Sequence, residues 1–153
     1  MSFDTEEGEF KQDHELINIL AENMEEFEVL VQTKGLCDIS SATDDKVELP
    51  AYCKEIMKKL GLVDVEYHKY VDPNTEEVSE SIKLIVYSYS GWLFHYYDKG
   101  YYFNYDSSQI PNLYEGDLNT KPHGNCDNYS RYKNIDEEGV NKQWYLYAYE
   151  FCD

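Results

Sequence analysis

Positive charge is scarce in this sequence. Thirteen Lys and Arg stand against 31 Asp and Glu, which leaves a formal net charge of −18 over 153 residues. Affinity for nucleic acid comes mainly from Lys and Arg that neutralise phosphates, and anionic membrane surfaces also recruit basic segments. The composition therefore argues against direct binding to nucleic acid or membrane, and it predicts a basic protein as the partner.

Long apolar runs and familiar catalytic motifs are missing as well. No window of about eighteen apolar residues occurs, and the opening MSFDTEEGEF shows no basic or apolar block of a secretory signal. The sequence contains no P-loop, GxGxxG, GxSxG or HExxH pattern. We therefore expect a cytoplasmic protein that is not an enzyme and carries no cofactor.

Cysteine is present only as Cys37, Cys53, Cys126 and Cys152, which are widely spaced and form no CxxC pair. In a reducing cytoplasm such residues are free thiols, so the sequence predicts no disulfide. His123 and Cys126 form one H-x2-C pair, but a structural zinc site normally needs four ligands in short paired spacings. The expectation is accordingly that no metal is bound.

Two helices are predicted in the N-terminal half. Over residues 11–34 apolar side chains recur at steps of three and four, and Gly35 follows where a helix C-cap belongs. The second helix lies in LPAYCKEIMKKLG, with Pro50 near its first turn and Gly61 at its end. Both patterns are typical of helices that bury one side.

After Gly61 the apolar period changes to two, which indicates β-strands. Strands are predicted over residues 63–70, 81–89, 92–97, 101–105 and 143–151. Asp98-Lys99-Gly100 is expected to form a three-residue hairpin loop between the third and fourth of them.

The order of these elements predicts an α+β fold, with two N-terminal helices packed on one face of a mainly antiparallel sheet of about five strands. The length fits a single domain over 10–153, preceded by a disordered acidic terminus over 1–9. Residues 106–141 scatter Gly, Pro, Asn and Asp with little periodicity, so no element is predicted there.

Acidic side chains are concentrated on the outer side of the first predicted helix. They are Glu15, Glu22, Glu25 and Glu26. Carboxylates three or four residues apart on a helix lie about 5–6 Å from one another, a spacing similar to that of phosphates along a nucleic-acid strand. This acidic helix face is the first candidate surface for a basic partner, and it would act by mimicking nucleic acid.

Tyrosine is the second unusual feature, with sixteen copies of which fifteen follow residue 66. Alternation places Tyr145, Tyr147 and Tyr149 on one face of the last strand, and Tyr96 and Tyr102 on the predicted hairpin. Exposed tyrosines are enriched in binding hot spots, so these five form the second candidate surface. The alternative is a ladder of rings that only stabilises the sheet.

These features predict a small acidic inhibitor that neutralises a basic, nucleic-acid-handling protein, as immunity proteins of toxins and anti-defence proteins of phages do. It is expected to be a monomer or a weak homodimer. One alternative is an enzyme with His95 or His68 as general base beside tyrosines and an acid in an aromatic-lined pocket. Another is a structural protein that self-associates through the aromatic strands.

Overall fold

The computed structural model describes residues 4–38, 49–91, 94–106, 110, 112–122 and 126–152. Helices and an antiparallel sheet make up this part of the chain, which confirms the predicted α+β class. The helices are α1 (Asp13–Glu22), α2 (Met24–Gln32) and α3 (Ala51–Leu60), with a 3-10 helix over Lys34–Cys37. The strands are β1 (Thr5–Gly8), β2 (Asp64–Val71), β3 (Val78–Ser90), β4 (Tyr96–Asn104), β5 (Tyr129–Asn134) and β6 (Trp144–Phe151).

Strand β3 is the longest strand and organises the sheet. On one side it pairs with β4, which is followed by β6 and then β5. On its other side β3 pairs with two strands in succession, first β2 and then β1. The register of β3 against β4 shifts between Ile85 and Tyr87, close to where β3 passes from β2 to β1. A bulge at this point lets one strand serve two short neighbours.

The first predicted helix is two helices in the structure. Asn23 lies between α1 and α2 with φ −126° and ψ 33°, and its side-chain amide donates to the Ile19 carbonyl at 2.8 Å. Asparagine competes with the backbone for hydrogen bonds in this way, so it favours helix ends. The helix also stops at Gln32, before the predicted Gly35 cap, because the 3-10 helix continues through that glycine.

The second predicted helix is confirmed as α3. Pro50 precedes its first residue, and Gly61 follows its last residue with φ 70°, in the left-handed region that glycine adopts without strain. Leu62 N–H then donates to the Met57 carbonyl at 2.8 Å, which closes the C-terminal turn. The local signals of a helix were sufficient here.

The predicted hairpin at Asp98-Lys99-Gly100 is wrong, because β4 runs straight through these three residues. Lys99 is fully buried, and its ammonium donates to Asp13 Oδ1 at 2.9 Å. Gly100 lies against β3, where a Cβ would overlap the Leu84 carbonyl oxygen. The polar residues that suggested a turn are instead a buried ion pair and a close backbone contact. Residues 92 and 93 of the predicted preceding strand lie outside the described residues.

Two strands were not predicted at all. Residues 5–8, expected to be disordered, form β1, which pairs with β3 from Thr5↔Ser90 to Gly8↔Tyr87. Strand β5 lies within the segment 106–141, for which no element was predicted, and pairs with β6. Neither has a strong apolar pattern of its own, since each is an edge strand that is held by its neighbour.

The core lies between the helices and one face of the sheet, here called the helix face. Phe27 of α2 lies at its centre, with its ring 4.8 Å from the Tyr101 ring and 5.6 Å from the Trp144 ring, both edge-on. The Tyr101 hydroxyl donates to the Leu16 carbonyl at 2.7 Å, which ties α1 to β4. Buried tyrosine hydroxyls need such partners.

The four cysteines are paired, so the prediction of free thiols is wrong. Cys37 is bonded to Cys53 and Cys126 to Cys152, with Cα–Cα distances of 5.5 and 6.2 Å. The prediction rested on an assumed compartment, whereas the fold brings both pairs into the range that disulfides require. No helix in the described part of the chain is both long and apolar enough to cross a membrane.

Candidate functional site

The five predicted tyrosines lie together on the sheet face that points away from the helices, here called the tyrosine face. In the register of β4 against β6, Tyr102 stands opposite Tyr145, and the residues on either side alternate between the two faces. The partners on the helix face, Trp144, Leu146 and Ala148, belong to the core, as alternation predicted. The remaining members of the tyrosine face are Tyr96, Tyr147 and Tyr149.

Rings on the tyrosine face pack against one another. The Tyr102 ring lies 4.8 Å from that of Tyr132 on β5, and the rings of Tyr96 and Tyr149 lie 6.3 Å apart. Tyr145 and Tyr147 are only 2 and 1% exposed, so they are largely unavailable to a partner. The ladder that was the alternative interpretation is therefore present, and of the five predicted tyrosines Tyr96, Tyr102 and Tyr149 remain partly exposed.

A buried carboxylate lies in the middle of this face. Asp98 is 2% exposed, and the Lys83 ammonium stands 3.7 Å from its Oδ1 atom. That ammonium also lies 4.8 Å from the centre of the Tyr147 ring and 4.9 Å from that of Tyr149. Within the described residues neither Asp98 Oδ1 nor the Tyr147 hydroxyl makes a hydrogen bond of ordinary length. Burial and the Asp98 charge raise the pKa of Tyr147 well above its usual value.

An acid-lined recess opens beside Tyr96, where β3 passes from β2 to β1. It has a volume of about 220 Å³. Its walls include the carboxylates of Glu7 from β1 and Asp64 from β2, together with the Tyr96 ring. Ser88 and Ser90 of β3 add hydroxyls to the same walls. The recess therefore offers acids, hydroxyls and an aromatic ring, and none of the described residues that line it is basic.

The acids of the recess affect one another. Burial raises the pKa of Asp64, and the charges of Glu66, Asp38 and Glu7 raise it further. The Val65 N–H donates to Asp64 Oδ1 at 2.8 Å and acts in the opposite direction, but it does not cancel the increase. A positive charge that entered the recess would relieve this repulsion.

The acidic helix face is less continuous than predicted. Glu26 forms an ion pair with Lys59 of α3, and hydrogen bonding to that ammonium holds the Glu26 pKa below its usual value. Glu15, Glu22 and Glu25 are exposed, but the break at Asn23 separates the first two from the third. Because the helices cover the opposite face of the sheet, these acids and the tyrosine face do not form one contact surface.

His95 has a partner that the sequence did not reveal. Its Nε2 atom lies 2.9 Å from Glu150 Oε2, and both side chains are mostly buried. Glu150 also lines a cavity of about 320 Å³ with Arg131, Lys121 and Asp127, whereas His95 is not among the residues of that wall. His68, the other predicted general base, is exposed and lies 3.5 Å from Glu66 on the opposite side of the sheet.

The pair of His95 and Glu150 belongs to a cluster of potential metal ligands. One ligand atom from each of His95, Cys126 and Glu150 lies within 4.8 Å of the other two. His123 of the H-x2-C pair lies outside the described residues. Sequence spacing indicated only His123 and Cys126, because the other two ligands are distant along the chain: His95 directly precedes β4 and Glu150 lies in β6.

Several residues of these sites were missed for the same reason. Glu7 lay in the segment expected to be disordered, and Asp98 lay in the expected loop. Strand β4 continues through Asp98, Lys99 and Gly100, whereas the sequence predicted a loop there because these three residue types are common in hairpin turns. No local signal marked Glu7, because its position depends on pairing with β3.

Comparison with known protein families, curated proteins and solved structures finds no match to this chain.

Proposed function

We propose that this protein binds a basic protein through the tyrosine face and the acid-lined recess, and that it neutralises that partner by covering a surface that handles nucleic acid. The observation that carries the proposal is the recess, where Glu7 and Asp64 stand beside Tyr96 and where the part of the chain that the structure describes contributes no basic lining residue. A Lys or Arg side chain of the partner is the complementary group.

The chemistry of the recess suits such a side chain. Two carboxylates would accept charge-assisted hydrogen bonds, and the Tyr96 ring would contact the cation through its face. The raised pKa of Asp64 shows the direction of the electrostatic gain, because an added positive charge lowers the cost of its ionisation. An anionic ligand would instead be repelled by the two carboxylates.

Charge on the whole molecule supports the same partner. A formal charge of −18 attracts a basic surface over several ångströms and raises the association rate, an effect that salt screens. Tyr149, whose ring lies 6.3 Å from that of Tyr96, provides a stiff, partly exposed ring beside the recess, and Tyr102 provides another further along β4 on the same face. The negative charge would first attract the partner, and the tyrosine rings would then contact it on the same face of the sheet.

The cytoplasmic location predicted from the sequence belongs to this proposal, since that is where nucleic-acid enzymes are neutralised before they act. The paired cysteines favour an oxidising compartment instead. The catalytic alternative stays a prediction, although the contact between His95 and Glu150 gives it a partner for its general base. Self-association also stays a prediction.

Affinity capture from the native cell lysate, followed by mass spectrometry, tests the proposal. We expect a protein with a basic surface to bind at low salt and to elute as the salt concentration rises. Two double variants decide whether the tyrosine face is responsible. Glu7→Lys with Glu66→Lys reverses one lining charge of the recess and the charge of the neighbouring acid that acts on Asp64. Glu22→Lys with Glu25→Lys makes the same change of net charge on the helices.

Loss of the captured protein in the first double variant and its retention in the second is the expected result. Reversal of a close charge pair costs about 2–5 kcal/mol, which is roughly 30-fold or more in affinity. Circular dichroism checks that both variants fold. Equal capture by the wild type and both variants, or capture of an acidic protein only, would count against the proposal.

A further inference from the structure

The His95, Cys126 and Glu150 cluster lies at the end of β6, on the face of the sheet opposite to the acid-lined recess. The three ligand atoms lie within 4.8 Å of one another, and Glu150 is only 5% exposed. Cys152, two residues after Glu150, is bonded to Cys126 and so brings a second sulfur to the same place. Imidazole, carboxylate and two sulfurs therefore converge from three separate parts of the chain.

Neighbouring contacts hold each group in position. The Asp127 N–H donates to Glu150 Oε1 at 3.1 Å, which leaves Oε2 directed at His95. The Cys152 N–H donates to the Asn128 side-chain oxygen at 2.8 Å, which fixes the loop that carries Cys126 against the end of β6. These contacts would persist whether or not the two sulfurs are bonded to each other.

The His95 ring is also fixed from behind. It packs edge-on against the Tyr89 ring, with centroids 5.3 Å apart, and its carbonyl accepts a hydrogen bond from Gly91 at 2.7 Å. Ligands that are oriented by outer contacts before a metal arrives bind it more tightly.

We propose that reduction of the disulfide between Cys126 and Cys152 creates a zinc site with four ligands, the two cysteine sulfurs, the His95 imidazole and the Glu150 carboxylate. Thiolate, imidazole and carboxylate are the ligands that Zn²⁺ takes in tetrahedral sites, and soft sulfur disfavours Mg²⁺ and Ca²⁺. The ligand atoms of His95, Cys126 and Glu150 already lie within 4.8 Å of one another. Once the disulfide is reduced, the two sulfurs have to move apart to about 3.8 Å, the separation that two Zn–S bonds of about 2.3 Å impose at the tetrahedral angle.

The redox step balances with a cellular dithiol as reductant. The dithiol gives two electrons and two protons to the disulfide, becomes a disulfide itself, and leaves Cys126 and Cys152 as thiols. When Zn²⁺ binds, the two thiols release their protons to solvent and coordinate as thiolates. The hydrogen bond between His95 and Glu150 is exchanged for two bonds to the metal.

Disulfide and zinc are mutually exclusive states of the same two sulfurs. Each state ties the loop around Cys126 to the end of β6, so the fold is held there in an oxidising compartment by the disulfide and in a reducing one by the metal. Four protein ligands leave no open position, so the site is structural and not catalytic. This inference does not depend on the proposed binding function.

X-ray absorption at the zinc edge tests the proposal on the wild-type chain. The chain is reduced, freed of the reductant under anaerobic conditions and mixed with one equivalent of Zn²⁺. We expect two sulfur neighbours at about 2.3 Å and two lighter neighbours at about 2.0–2.2 Å. Zinc should also protect Cys126 and Cys152 from alkylation. The oxidised chain, which has the same sequence, is the matched control and should show no sulfur neighbours.

Variants identify the ligands. Cys126→Ser and His95→Gln should each weaken zinc binding by more than the roughly 10–100-fold that loss of an outer contact costs. Cys53→Ala, which removes a sulfur of the other disulfide, should leave it unchanged. If a variant fails to fold, the comparison of reduced and oxidised wild-type chain still decides. A reduced chain with no sulfur around zinc, or with protection confined to Cys37 and Cys53, would overturn the proposal.

Discussion

Individual polar residues of the sheet make buried hydrogen bonds and ion pairs that join it to the rest of the protein, and Lys99 is the clearest example. Its ammonium has no exposure and donates to Asp13 Oδ1, to the Lys11 carbonyl at 2.9 Å and to the Leu118 carbonyl at 2.5 Å. Burial lowers the pKa of Lys99, and the contact with Asp13 opposes that effect. The pair joins the start of α1 to the middle of β4.

We therefore expect Asp13→Ala to destabilise the protein strongly. It leaves the Lys99 charge buried without its carboxylate and the Leu118 N–H without its acceptor, so the cost should be about 3–5 kcal/mol. Urea denaturation measures it. Glu15→Ala, an exposed acid in the same helix, is the control and should change stability by no more than about 0.5 kcal/mol. Similar costs for both variants would contradict this account of Lys99.

Individual residue types in the sequence often indicated the wrong local structure or bonding state. Asp98, Lys99 and Gly100 are common turn residues, yet here they form a strand, in which Lys99 pairs with the distant Asp13 and Gly100 packs against the Leu84 carbonyl. The cysteines could not be paired from the sequence, because each disulfide joins elements that only the tertiary fold brings together. The Tyr101 hydroxyl, which belongs to one of the sixteen tyrosines that made the composition unusual, donates to the Leu16 carbonyl inside the core.

At the level of elements, the strands with alternating apolar residues were predictable and the edge strands were not. Strands β2, β3 and β6, together with α3, lie within a few residues of their predicted bounds. Strands β1 and β5 depend on pairing with a neighbour, and this long-range contact leaves no local pattern. The recess could not be predicted from the sequence either, because it forms only where β1 and β2 meet along β3.

Strand β4 also gives a prediction about packing. A Cβ at position 100 would overlap the Leu84 carbonyl oxygen of the neighbouring strand, so Gly100→Ala has to separate β4 from β3 locally. Overpacking of this kind costs about 1–3 kcal/mol. Thermal unfolding followed by circular dichroism measures the loss. Ser88→Ala, on the adjacent strand with its side chain partly exposed, should unfold at nearly the wild-type temperature.

If Gly100→Ala unfolds at the same temperature as Ser88→Ala, then β4 does not continue through Gly100, and the result would support the hairpin that was predicted from the sequence. The comparison therefore decides between the two descriptions of this segment.

Across the whole molecule, buried tyrosines couple stability to alkaline pH. Burial raises the pKa of Tyr132 to about 12, and burial with a hydrogen bond to Glu80 raises that of Tyr67 to about 12. The ordinary value is 10.0, so between pH 10 and 12 the unfolded chain has lost protons that the folded chain keeps. Deprotonation then favours the unfolded state, so the free energy of unfolding should fall as the pH rises through this window.

We expect tyrosinate formation, followed by ultraviolet absorbance, to coincide with the loss of circular dichroism when the protein is titrated above pH 10. Titration of all sixteen tyrosines near pH 10 with the fold intact would contradict the described burial. The fold class and the separation of the two sheet faces were predictable from the sequence, whereas this burial was not, since it depends on rings that cover one another.

The central claim is that a basic partner binds at the acid-lined recess of the tyrosine face. Its most direct test is the dissociation constant of the captured partner, measured at several salt concentrations for the wild type, for Glu7→Lys with Glu66→Lys and for Glu22→Lys with Glu25→Lys. We predict affinity that falls steeply with salt and a loss of roughly 30-fold or more in the recess variant alone. An affinity that does not change with salt concentration, or a loss of affinity only in the Glu22→Lys with Glu25→Lys variant, would contradict the claim.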